Sequence, residues 1–115
     1  FSSPSNLINS TDKKEAITRP VITKNNNLYH MFFCYRGSDD FRDGEDAYRI
    51  GYAWSDDLKK WHREDAISGI DVSNNGWDSK MIAYPYIVET IFGTYMFYNG
   101  NGFGQTGFGY AVLDE

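Results

Sequence analysis

The sequence holds one cysteine, Cys34, in 115 residues. A single thiol excludes an internal disulfide framework and a zinc site built on cysteines. Long apolar runs are absent: none approaches the roughly 18–20 residues that span a bilayer. Positive charge is in deficit, with 11 basic against 16 acidic residues and a net charge of -5. An acidic domain repels phosphate backbones and anionic lipid, so neither nucleic acid nor a membrane is expected as a partner. His30 and His62 have no metal-ligand spacing, and His30 falls inside a strand pattern as a structural residue, so no metal is expected. Gly102-x-Gly104-x-x-Gly107 has dinucleotide spacing, but only eight residues follow it and no helix pattern does. No cofactor is expected from it, and its glycines fit a tight hairpin with positive φ. A signal peptide is also missing from the first ten residues, which have neither a basic start nor an apolar stretch. The chain starts at Phe1, so it reads as a trimmed piece whose location, cytoplasmic or exported from a bacterium, stays open.

Aromatic residues are abundant: 3 Trp, 9 Tyr and 8 Phe, or 17% of the chain. They fall in short runs with β-branched neighbours, separated by turn residues. Seven strands are expected: 17–23, 28–35, 48–54, 61–63, 82–88, 94–99 and 107–113. The same blocks recur in the same order. Arg19-Pro20-Val21-Ile22 matches Tyr84-Pro85-Tyr86-Ile87, and Met31-Phe32-Phe33 matches Met96-Phe97-Tyr98. Ile50-Gly51-Tyr52-Ala53 matches Phe108-Gly109-Tyr110-Ala111 at a shorter offset, because the second unit has the shorter hairpin loop. Each unit reads as an antiparallel four-stranded meander, the blade of a β-propeller, although the second lacks a clear fourth strand. The fold class expected is therefore all-β, with about two blades. Residues 15–67 form one blade, 68–115 a final blade, and 1–14 the end of a preceding blade or a linker. A ring needs about four to eight blades to close. The partners expected are thus missing upstream blades or further copies of the chain.

The proline at the innermost strand, the aromatic second strand and the run Gly51-Tyr52-Ala53-x-Ser55-x-Asp57-Leu58-x-x-Trp61 resemble the blades of five-bladed propeller glycosidases. These are glycoside hydrolase families 43 and 32 and the related family 130. Gly76-Trp77-Asp78-Ser79-Lys80-Met81, Tyr84-Pro85 and Tyr95 to Asn101 extend the resemblance to nearly the whole chain. It implies a carbohydrate ligand and a glycoside hydrolase, with a glycoside phosphorylase or a non-catalytic glycan-binding or interaction propeller as alternatives. It also implies that two acidic catalytic positions lie upstream of Phe1, so that this piece alone is inactive.

In a meander, the loop into the first strand and the loop between the second and third share one end. That end holds the candidate residues. Glu15 is the candidate general acid, or a solvated carboxylate beside Lys13 and Lys14. Arg19 and Arg36 offer planar forks for hydroxyls or a carboxylate, and Arg19 fits an ion pair with Glu15 or Asp78 equally well. Trp77 fits stacking on a sugar ring or packing between blades. Asp78 fits sugar hydroxyls or, preferably, a cap on the Asn74-Asn75-Gly76 turn. The innermost strand of a blade lines a central channel, so Arg19 and Tyr84 are channel candidates; Asn101 lies on the last mouth loop, and Trp61 is expected in the core. The acidic loop 39–46 fails the EF-hand pattern and reads as solvated.

Overall fold

The computed structural model describes residues 5–10, 15–39, 44 and 46–113. Strand β1 (Ala16–Asn25) turns through Asn26-Asn27 into β2 (Leu28–Arg36). Both asparagines are left-handed, with φ of 54° and 65°, as a two-residue hairpin matched to strand twist requires. β3 (Arg49–Ser55) and β4 (His62–Arg63) complete an antiparallel sheet of order β1-β2-β3-β4. Between them, the Asp57 carboxylate accepts the Lys59 and Lys60 N–H groups at 2.9 Å each and shapes the polar turn. The second sheet is β5 (Ala83–Thr90), β6 (Gly93–Asn99) and β7 (Phe108–Val112), antiparallel in that order. The chain is thus all-β in two antiparallel sheets, as the turn and strand signals imply. Among the described residues, no helix is long and apolar enough to cross a membrane.

Alternation along the strands sends side chains to two faces. From β2, Phe32 and Cys34 point toward the second sheet, while Met31 and Phe33 point away from it. Met81, Ile82 and Ala83 are fully buried where the chain enters β5. They lock against Cys34, Ala47, Tyr48 and Ile50. The Ile82 N–H donates to the Tyr48 carbonyl at 3.1 Å, tying the entry of β5 to that of β3. On the far side of the first sheet, Met31, Phe33 and Ala53 pack with Ile8, Ile17, Tyr35 and Trp61. Gly51 is required there, because a Cβ would meet the Phe33 ring at 2.6 Å. The outer face of the second sheet has less cover. Tyr86, Phe108 and Tyr110 are 63%, 75% and 59% exposed, and Tyr110 packs on Tyr95 and Phe97 at 5.4 and 5.8 Å.

Truncating the seam should be costly. Ile82→Ala is expected to lower stability by about 2–5 kcal/mol in denaturant unfolding, the cost of an uncollapsed core cavity. Ile91→Ala, at a bare hairpin tip, should stay within about 0.5 kcal/mol of the parent.

Candidate functional site

The first strand of each sheet carries the same irregularity. The pairing of β1 with β2 slips between Thr18 and Val21, and that of β5 with β6 slips between Ala83 and Tyr86. Each slip holds a residue–proline pair, Arg19-Pro20 and Tyr84-Pro85. Proline cannot donate to the ladder, which accounts for the break. Arg19 and Tyr84 are both left-handed, with φ of 58° at each. Proline biases its predecessor toward extended backbone, so each position is strained, at a cost of order 1–3 kcal/mol.

The strain brings the two side chains together. The Arg19 guanidinium lies 4.9 Å over the Tyr84 ring. The Tyr84 ring is 5.9 Å from that of Tyr48, which lies under the Arg36 guanidinium at 5.8 Å. Phe103 closes the group, edge-on to Tyr48 at 5.7 Å and 6.3 Å from Tyr84. Arg36 also donates to the Gly37 carbonyl at 2.9 Å. Behind the rings, the Tyr84 N–H donates to the Cys34 sulfur at 2.8 Å. Burial pushes the Cys34 thiol up to about 11, against the opposing pull of the Tyr84 N–H and Arg19. Burial also raises the Tyr84 hydroxyl, helped by Tyr48 and Cys34 and opposed by both arginines.

Trp77, Asp78 and Asn101 form a second group beside it, engaged with the protein itself. Trp77 stacks on Tyr98 at 5.3 Å and lies over Gly109, where a Cβ would meet its ring at 2.5 Å. Asp78 is buried and its carboxylate accepts the Tyr98 hydroxyl at 3.1 Å. Its side chain therefore serves a bond to β6, where the sequence favoured a backbone cap; its carbonyl accepts the Ser73 N–H at 3.1 Å and closes the loop. Burial, then the bond and charge of Asp78, push Tyr98 up to about 12. The Asn101 carboxamide oxygen accepts the Lys80 and Met81 N–H groups at 2.7 and 3.0 Å. The glycine loop after Asn101 is not a bare hairpin: residues Asn101–Gly104 make a helical turn in which Gly102 and Phe103 are left-handed. That turn is what delivers Phe103 to Tyr48.

Glu15 sits apart from both groups. Its two oxygens accept from Arg63 at 2.7 and 3.2 Å, and Arg63 also holds Asp65 at 2.9 Å. Arg63 in turn spreads over the Phe33 and Tyr35 rings at 5.0 and 5.4 Å, on the far side of the first sheet. The ion pairs open to Arg19 at the sequence level are therefore taken elsewhere: Glu15 goes to Arg63 and Asp78 to Tyr98. Of the acidic loop 39–46, residues 40–43 and 45 lie outside the described residues, as do Lys13 and Lys14. No cluster of three metal-ligating side chains occurs among the described residues. Sequence reasoning missed Tyr48, Phe103 and Arg63. The glycine-flanked Phe103 was the available signal for one of them.

No protein-family model matches the chain. Two curated relatives, uncharacterized proteins of Mycobacterium tuberculosis from strains H37Rv and CDC 1551, are each 39% identical over 106 residues. The match covers 92% of this chain and 33% of each relative, so the chain spans about a third of their length. Among solved structures, one named "Glycoside hydrolase" matches with a TM-score of 0.70 at 17% identity, over 94% of this chain and 36% of its own. A second, a BT0996 complex with RGII, matches with the same score and identity over 94% of this chain and 35% of its own. The fold is glycoside hydrolase-like.

Two outcomes follow from the geometry. Arg19→Gly is expected to be about 1 kcal/mol more stable than Arg19→Ala in denaturant unfolding, since both lose the side chain but only glycine accepts φ of 58° freely. Cys34 and Tyr98 hold their protons more tightly folded than unfolded. Their contribution to stability is whole below pH about 9 and is lost as pH rises through about 11 and 12. Asp78→Asn should bring the Tyr98 transition down, as read by ultraviolet difference titration.

Proposed function

We propose that this chain supplies two neighbouring blades, residues 15–67 and 68–115, to a β-propeller of the glycoside hydrolase family 43, 32 and 130 type, and that the whole protein acts on a glycan. Residues 1–14 belong to the preceding blade or a linker. One observation carries the reading: the same strained residue–proline bulge occurs in both innermost strands and turns Arg19 and Tyr84 to a shared mouth. The likeness to a solved glycoside hydrolase fold supports it. Arg19, Arg36 and Tyr84 contact the sugar. Trp77, Asp78 and Asn101 hold the loops that frame it.

Glu15 is the proposed acid, and its attachment to Arg63 defines the test. Hydrolysis needs two carboxylates on opposite sides of the scissile bond. The second comes from another part of the whole protein. The isolated 115-residue chain is therefore expected to release nothing from aryl glycosides. In the full-length protein, Glu15→Gln should abolish turnover and spare glycan binding if Glu15 is the acid. If turnover survives while stability falls by about 3 kcal/mol, matching Arg63→Met, Glu15 is an ion-pair anchor and the acid role is refuted. The Arg63 bond favours a second reading in which the protein binds glycan without cleaving it. Full-length protein that binds but never cleaves, across a broad substrate panel, would establish that reading.

The exposed aromatic face of the second sheet supports the assembly part of the proposal. Bare patches of more than a few hundred Å2 are rare on soluble monomers. The isolated chain should self-associate in sedimentation at high micromolar concentration, and Tyr110→Lys should weaken that association. A stable monomer would remove this support.

A further inference from the structure

We infer that the mouth selects a sugar bearing an oxyanion, a carboxylate or a phosphate, seated against Arg19 with Arg36 on the adjoining ring. This rests on the glycan reading above and goes further, because hydroxyls alone do not require two cations. The chain is acidic overall, with net charge -5, yet two guanidiniums converge on the Tyr48–Tyr84 ring pair. Arg19 is exposed and its planar fork suits two oxygens of one anion. The two carboxylates that the sequence offered to Arg19 are engaged elsewhere: Glu15 by Arg63 and Asp78 by Tyr98. Phe103, 36% exposed, adds a flat apolar wall that a pyranose face packs on. Strain is a second, independent observation. A bulge alone is met most cheaply by glycine, yet this chain places a long cationic side chain at φ of 58°.

The test uses the full-length protein on an array of glycans in matched pairs, each acidic member beside its neutral counterpart, with carboxylated and phosphorylated acids both present. The parent is expected to favour acidic members by about tenfold, the worth of one charge-assisted contact. The preference should fall as salt rises, since the contact is partly open to solvent. Arg19→Ala should bring the preference to unity, the acidic and neutral members of each pair then binding equally. Arg19→Gly repeats the measurement in a backbone that relieves the strain, so loss of preference in both variants excludes misfolding. Arg19→Lys should keep part of it. Preference for carboxylated or for phosphorylated members identifies the source of the anion, and either supports the inference. Equal binding of acidic and neutral members overturns it and leaves the glycan reading standing. Binding to no glycan at all overturns both.

Discussion

The dry seam of Met81, Ile82 and Ala83 is the constraint on which the rest of the molecule depends. These three residues enter β5 with no exposure to water and meet Cys34, Ala47, Tyr48 and Ile50 of the first sheet. Because Ile82 is bonded to the Tyr48 carbonyl, the entries of β3 and β5 cannot slide past one another. Tyr84 follows the seam directly, and its N–H reaches the Cys34 sulfur. The position of the Tyr84 ring against Tyr48 and Arg19 is therefore set by packing two residues away. Close packing transmits such constraints, because a core has few alternative arrangements.

The strands were readable from the chain because their period and punctuation are local. Asn25 to Asn27 and Ile91 to Gly93 turn the chain where the alternation stops, and all seven strands appear where the runs of β-branched and aromatic residues lie. The repeat was readable for the same reason, as both units need a proline where the inner ladder breaks. What the proline could not reveal is the left-handed backbone before it, since proline normally pushes its neighbour to extended conformations. The partners of the candidate residues were hidden for a different reason. Arg63 meets Glu15 across 48 positions and Phe103 meets Tyr48 across 55, distances over which no periodicity constrains a pair. The Tyr98 partner of Asp78 was hidden because a turn aspartate and a buried one look alike in sequence.

The chain places its charges by the same logic. Arg63 is used inside: it spans two rings and two carboxylates and so anchors β4 to the far face of the first sheet. A guanidinium so enclosed is fully occupied by structure. Arg19 is the opposite case. It adds no strand pairing, sits at a break in the ladder, and stacks on a ring that the fold has already fixed. Its backbone is strained where glycine would relax, and its equivalent in the second sheet, Tyr84, is strained identically. The two residues share φ of 58° on the first strands of the two sheets but differ in cover: packing sets the Tyr84 ring, whereas Arg19 is exposed. Strain that the surrounding structure over-determines, and that yields an exposed cation beside a preset ring, is what pre-organisation for a ligand requires.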